Sequence, residues 1–327
     1  MGPTTKKNFF FRTNANSMIG YGHLVRCLSL NEILIEKIFA TYCHTDIPDQ
    51  FINQIHQLGS IDFQIQNEFD WINQLTSNDI VVIDLYNYSD VFVLLVHQIG
   101  ALIVRIDDLI TPPLRGDLLI NHAPNLDSAY YDGVFNGDKY LGVEYLMLRP
   151  CFTSGCVTKR YNEINRIFIS MGGAFKETEI IILLKVFLTF NPNLNIDLLV
   201  GSPILNDQLN SLCQEYLINV KYNLNGLEVC KLLDESDLAI VPSSTLSLEA
   251  YARNLPVVAI KNADNQKYIF NGLSKEYGVL CIEQEEFDSL DFVTLIFDWY
   301  YKGKIEIQRN ITSSKILEIF NKIIDEK

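Results

Sequence analysis

The stretch FRTNANSMIGYGHLVRCLSLNEIL, Phe11 to Leu34, decides the fold. An apolar run ends near Arg12, a polar loop with two glycines follows, and a helical pattern opens near His23. That strand, loop and helix form the first step of a parallel α/β sheet. Gly20 and Gly22 permit positive φ and let a ligand approach the bare backbone. The free N–H groups and partial positive charge of the helix start suit an anion. They also favour a neutral imidazole at His23, which suits a general base. Taken alone, Gly-Tyr-Gly-His is also an ordinary tight turn ahead of a helix.

Outward from this stretch, short β-rich runs alternate with longer helical patterns. The first half predicts strands at Asn8–Arg12, Phe39–His44, Asp62–Ile65, Ile80–Asp84, Ala101–Asp107 and Asp117–Asn121. Helical patterns lie between them at His23–Lys37, Gln50–Leu58 and Asp90–Ile99. VVID and LIVRID are continuous apolar runs that end in acid, as expected of strands buried on both faces. The periodicity lapses over Arg149–Asn165, which is taken as a linker, and then restarts. Strands are expected at Arg166–Met171, Asn195–Val200, Asn219–Tyr222, Leu238–Val241, Val257–Ile260 and Val279–Ile282. Helices are expected at Lys176–Phe190, Asp207–Leu217, Gly226–Glu235, Leu246–Asn254 and Asp264–Tyr277, with a terminal helix in Lys304–Lys327.

Two βα series imply an α/β fold of two Rossmann-like doubly wound domains, residues 1–155 and 156–327, facing a central cleft. Ligands of such domains bind outside the carboxyl ends of the strands, so the cleft is the expected active site.

Composition narrows the function. The chain has 327 residues, 48% of them hydrophobic, which is enough to bury two cores and excludes a disordered chain. The charge of −14 and the lack of a Lys/Arg run argue against nucleic acid as a partner. Seven cysteines without a Cys-x-x-Cys pair point to reduced thiols and a cytoplasmic location. No apolar stretch reaches the roughly 18 residues needed to cross a bilayer, so no membrane role is expected. The opening residues lack the apolar core and cleavage site of a signal peptide. Asp107-Asp108 has only Asp84, Asp117 and His122 as neighbours in sequence, without recognisable ligand spacing, so no metal and no cofactor are expected. Structural capping is the simpler role for that acidic pair. His44, His56 and His97 look incidental, and Cys27 fits the inward face of the first helix.

A resemblance then runs along the chain in order. IGYGHLVRCLSLNEIL resembles the IGxGHxxRCLxLAxxL signature of the UDP-sugar hydrolases of pseudaminic acid biosynthesis. VVIDLYNY resembles that family's strand ending in Asp-x-Tyr, and RIDDLITPPLRGDLLINHAPN its Asp-Asp segment. YLGVEYLMLRPCF, ISMGGAF and LPVVAIKNADNQKYIFNGL resemble three further blocks, the last an LPxxxxxxADNQ element. The family is grouped with nucleotide-sugar enzymes of the glycosyltransferase-B type, including the lipid-linked muramoyl-pentapeptide GlcNAc transferase.

The resemblance implies hydrolysis of a UDP-linked 2,4-diacetamido-2,4,6-trideoxyhexose to UDP and free sugar. His23 is then the catalytic base that activates water, with Tyr86 beside it lining the sugar pocket; alone, Tyr86 is an ordinary half-buried tyrosine. Gly20 and Gly22 face the substrate, and Gly172 and Gly173 give the diphosphate close access to backbone. Glu249 accepts from the ribose hydroxyls, and Asn265 and Gln266 contact nucleotide or sugar, although Asn265 alone fits an N-cap. Where the family carries a Gly-Gly-Ser-Thr-like loop, this chain has IVPSSTLSLEA, Ile240 to Ala250, and Pro242 has no N–H to donate. Ser243, Ser244 and Thr245 still offer hydroxyls at a helix start. The small-molecule UDP-sugar is the expected partner, and a monomer is expected. A glycosyltransferase using a UDP-sugar donor and a non-catalytic nucleotide-sugar binder are the rival readings.

Overall fold

The computed structural model describes residues 6–16, 19–112, 114–154, 163–172, 176–201, 204–286, 290–302 and 311–326. In chain order the elements are β1 (Lys7–Thr13), α1 (Gly22–Leu34), β2 (Ile38–His44), α2 (Asp49–Gln57), β3 (Ile61–Gln64), β4 (Ile80–Asp84), α3 (Asp90–Ile99), β5 (Leu102–Ile106), β6 (Leu118–Asn121) and β7 (Asp138–Leu141). A short helix α4 (Pro150–Thr153) leads into β8 (Arg166–Ser170), α5 (Glu177–Phe190), β9 (Asn195–Leu199), α6 (Asp207–Glu215), β10 (Asn219–Lys221), α7 (Gly226–Glu235), β11 (Leu238–Pro242), α8 (Thr245–Ala252), β12 (Val257–Lys261), α9 (Lys267–Glu276), β13 (Leu280–Glu283), α10 (Leu290–Lys302) and α11 (Ser314–Glu326).

Two compact units result. One holds residues 1–16, 21–150 and 311–327, and the other residues 17–20 and 151–310. The first has a parallel sheet in the order β3-β2-β1-β4-β5-β6-β7, and the second a parallel sheet in the order β10-β9-β8-β11-β12-β13. In each, the order reverses beside the first strand, at β1/β4 and at β8/β11, and such a reversal opens a ligand crevice at the carboxyl ends. The expected strands all appear within a residue or two. β7 and α10 were not anticipated from the sequence.

Alternation along the strands of the first sheet sorts residues onto its two faces. Ile80, Val82, Val104, Ile106, Leu118 and Ile120 join the core beneath α1, which also contains Leu24, Cys27 and Leu28. Val81, Ile83 and Ile103 join the opposite core, beneath α3, with Phe92, Val93 and Val96. The second unit buries its own cluster, in which Ile167, Ile169, Leu238 and Ile240 meet Leu183, Leu184 and Phe187 of α5.

The terminal helix corrects the expected division. Residues 156–327 do not form one domain, because α11 packs in the first unit. Its stripe Ile316, Phe320 and Ile323 lies in the core with Phe9 and Phe11, and the rings of Phe320 and Phe9 sit 5.8 Å apart. An apolar stripe shows that a helix must be covered, not by which sheet. The chain passes from the first unit to the second at Pro150/Cys151, inside the expected linker, of which residues 155–162 lie outside those described.

Candidate active site

His23 and Arg26 stand three residues apart on α1, so one helix face presents both. That face meets the carboxyl ends of β4, β5 and β6. Asp84 ends β4 in step with Val82, and Asp108 and His122 continue the α1-facing parity just past β5 and β6. The period-2 rule thus brings Asp84, Asp108 and His122 under the helix from three separate strands.

The resulting network is tight and buried. His23 Nδ1 lies 2.6 Å from Asp84 Oδ1, and Arg26 donates to both Asp84 oxygens, from Nε at 2.9 Å and from Nη2 at 2.7 Å. Arg26 Nη1 donates to Asp108 Oδ2 at 2.7 Å. Burial pushes the Asp84 carboxyl up, but the charges and hydrogen bonds of Arg26 and His23 outweigh it and hold Asp84 well below the usual carboxylate range. An ionised Asp84 requires the proton of the 2.6 Å contact to sit on His23 Nδ1. Arg26 Nη2 also lies 2.8 Å from Nδ1, since both nitrogens converge on the same Asp84 oxygen. With Nδ1 committed, Nε2 is the nitrogen left to accept a proton. A histidine fixed in this way has the arrangement a general base needs, with a carboxylate placed where it could stabilise an imidazolium.

Burial and then the Arg26 charge push His122 down to about 4, against the pull of Asp108 and Asp84, so it is neutral near pH 7. Its Nδ1 and Asp108 Oδ1 have no hydrogen-bond partner among the described residues. Cys27, also under α1, is a buried thiol pushed upward by desolvation and then by Asp84, so it stays protonated in the core.

Adjacent residues of the Asp107-Asp108 pair serve opposite faces of the sheet. Asp107 accepts from the Tyr131 hydroxyl at 2.7 Å and from the Ile110 amide at 3.0 Å, and Asn121 Nδ2 donates to the same hydroxyl at 2.8 Å. Burial, aided by Asp108, raises Asp107. This set fixes the loop after β5, where Ile110 holds a φ of +56°. Among the described residues no group of three His, Cys, Asp or Glu side chains is placed to hold a metal ion.

Tyr86, two residues past Asp84, sets its ring edge-on to His23 with centroids 4.5 Å apart. Of the two loop glycines, only Gly20 adopts positive φ, at +79°; Gly22 is the first residue of α1. A Cβ on either would meet nothing within 4 Å, so both leave backbone open to a ligand. α1 begins without a side-chain cap.

In the second unit, Gly172 follows β8 with a φ of +67°, and a Cβ there would touch Pro242 Cγ at 3.4 Å. The loops after β8 and β11 therefore meet at the strand-order reversal. Gly173 lies outside the described residues. Ser244 caps α8 by position but not by side chain, and Thr245 is the first helical residue. Ser243, read from the sequence with Ser244 and Thr245 as a diphosphate contact, is fully buried, and its hydroxyl oxygen has no hydrogen-bond partner among the described residues. Glu249 is buried on α8. Asn265 is half-buried in the 3₁₀ turn after β12. The Gln266 amide closes that loop, accepting from Asn262 N at 2.9 Å and donating to Asn262 Oδ1 at 2.5 Å.

Sequence reading did not assign Arg26, Asp108 or His122 to the site. The signals were present: Arg26 follows His23 by three residues, and Asp108 and His122 share the parity of Asp84.

Two parallel Rossmann-like domains define an α/β fold of the glycosyltransferase-B type. The crystal structure of MurG from Acinetobacter baumannii superposes with a TM-score of 0.62 over 97% of this chain and 99% of its own, at 14% identity. Anabaena Alr3699/HepE, solved in complex with UDP and glucose, gives a TM-score of 0.61 over 98% and 100%, at 10% identity. In sequence, the chain is similar to the UDP-2,4-diacetamido-2,4,6-trideoxy-beta-L-altropyranose hydrolase of Campylobacter jejuni. The two are 25% identical over 274 residues, 81% of this chain and 96% of the hydrolase. The resemblance read from the sequence motifs therefore extends over most of the chain. No family model matches it.

Proposed function

We propose that this protein is a UDP-sugar hydrolase that cleaves a UDP-linked 2,4-diacetamido-2,4,6-trideoxyhexose to UDP and free sugar, in the manner of pseudaminic acid biosynthesis. The observation that carries the reading is the buried Asp84–His23 pair at the β1/β4 reversal, with Nδ1 held by the carboxylate and Nε2 left basic. The named substrate class rests on the similarity to the Campylobacter jejuni enzyme.

In this scheme His23 Nε2 takes a proton from water as the oxygen attacks C1 of the sugar. The bond from C1 to the diphosphate oxygen breaks, and UDP leaves with that oxygen. Asp84 stabilises the imidazolium, and Arg26, shared with Asp108, keeps Asp84 ionised throughout. Base assistance contributes about 10²–10⁴-fold. The loop at Gly172 and the uncapped start of α8 at Thr245 supply backbone N–H groups for the departing diphosphate, and Ser244 and Thr245 add hydroxyls; the Ser243 and Ser244 amides already donate to the Ile260 and Pro242 carbonyls. Glu249 and Asn265 are the proposed nucleotide contacts.

The fold shared with MurG favours one rival, transfer of the sugar to an acceptor hydroxyl instead of water. NMR of the protein with a panel of UDP-sugars decides between them. Free sugar and UDP forming without any acceptor supports the hydrolase. Turnover only on adding an acceptor alcohol supports the transferase.

A further inference from the structure

Resting on the reading of His23 as the base, we propose that Arg105 is a positioning residue: it clamps the loop after β4 and through Tyr86 sets the His23 ring. Arg105 lies on β5 with the parity of Ile103, so it points away from α1 into the core beneath α3. It is 2% exposed. Its Nη2 donates to the Leu85 carbonyl, the first residue past Asp84. Its guanidinium lies 4.3 Å from the centroid of the Tyr88 ring, and the Tyr88 hydroxyl in turn accepts from the Arg115 amide at 3.0 Å. One side chain on the far face of the sheet thereby holds residues 85 and 88. Tyr86 is strung between these two anchors, with its ring edge against His23. The imidazole is thus fixed on one side by Asp84 and on another by Tyr86, both neighbours of the carbonyl that Arg105 holds.

Packing alone does not call for an arginine here. Among the described residues Arg105 Nε and Nη1 have no hydrogen-bond partner and no carboxylate lies at ion-pair distance. Its partners on the adjacent strands, Ile83 of β4 and Leu119 of β6, are apolar, and Asp107, two residues along the same face, feels its charge without pairing with it. Buried charged groups are often replaced by hydrophobic residues of similar volume without loss of stability. Arg105→Met is therefore expected to leave thermal stability unchanged or improved while lowering activity, the reverse of a structural role.

The test combines turnover with the NMR resonance of the His23 ring Cε1–H, which feels the Tyr86 ring and needs no substrate. Arg105→Met is expected to lower kcat about 10- to 100-fold, as small misplacements of a reacting group do, with KM within about threefold. It is expected to move the His23 resonance towards its position in Tyr86→Ala, and to cause no further loss of kcat in the Tyr86→Ala background. Equal losses in both backgrounds, or an unmoved resonance with wild-type kcat, would overturn the proposal. If Arg105→Met does not fold, Arg105→Lys and Tyr88→Leu take its place. A shifted resonance in both supports the clamp, and an unmoved one in both refutes it. Should the wild type hydrolyse no UDP-sugar, the reading of the activity fails, yet the resonance still decides whether Arg105 sets the His23 ring.

Discussion

At the carboxyl end of the first sheet, Asp84, Asp108 and Arg26 bring three formal charges into direct hydrogen bonding around His23. At the same end of the second sheet, the loops beside the strand-order reversal offer Gly172, Pro242, Ser243, Ser244 and Thr245, all uncharged. Under the proposed function the contrast separates two tasks. Moving a proton needs a base held in one tautomer, and a desolvated carboxylate with a guanidinium beside it achieves that. Holding a diphosphate needs donors without a competing anion, and backbone N–H groups at a helix start provide them. The first region is predicted to control rate and the second to control affinity.

The largest effect should come from the rate side. His23→Ala is expected to cut turnover by about 10²–10⁴-fold while UDP affinity stays within several-fold, because a base acts mainly in the transition state. Steady-state kinetics and calorimetry with UDP check both halves. A loss of affinity as large as the loss of rate would erase the separation.

Next comes Asp84→Asn. It removes one partner of a buried charge cluster and leaves Arg26 with Asp108 alone, so a loss on the order of 3–5 kcal/mol is expected. Thermal and denaturant unfolding measure it, and a variant as stable as wild type would show that the cluster is not held as described.

His122 sharpens the comparison through pH. Its folded value, about 4, lies below the ordinary histidine value near 6.5. Its contribution is therefore complete above pH 6.5, because only the unfolded chain takes up the proton as pH falls. Stability should decline by about 3 kcal/mol between pH 6.5 and 4. His122→Gln should flatten that segment of the stability curve, and an unchanged slope would place the titration elsewhere.

The smallest expected effects lie on the affinity side. Asn265→Ala and Glu249→Gln should each weaken UDP binding by about 1–3 kcal/mol, the cost of losing a polar partner in a partly buried site. kcat at saturating substrate should stay within several-fold. Unchanged affinity in both variants would move the nucleotide contacts away from α8 and the turn after β12.

How far the sequence disclosed this molecule depended on whether the information was local. β4 and β11 announce themselves as continuous apolar runs because parallel strands are covered on both faces. β7, Asp138–Leu141, is an edge strand with no fully buried residue, and it gives no such run. α10 packs so many aromatic and β-branched residues into LDFVTLIFDWYYK that no clean polar face marks it as a helix. α11 was legible as a helix, but its partner sheet was not, since the stripe of Ile316, Phe320 and Ile323 would suit either core. In the site, His23 and Tyr86 stood out within short motifs. Arg26, Asp108 and His122 did not, because their meeting depends on which strands are neighbours and which face each residue takes. Gln266 stood out for its neighbours in the motif, yet its amide is engaged with Asn262.

In the proposed hydrolysis His23 directs water to the sugar carbon and not to phosphorus. Attack at phosphorus would leave the sugar with its original oxygen and place the new one on phosphate. Hydrolysis in oxygen-18 water, followed by mass spectrometry of both products, reads this directly. Label is expected at C1 of the free sugar, with unlabelled UDP. Label in a nucleotide phosphate, with unlabelled sugar, would contradict both the mechanism and the role given to His23.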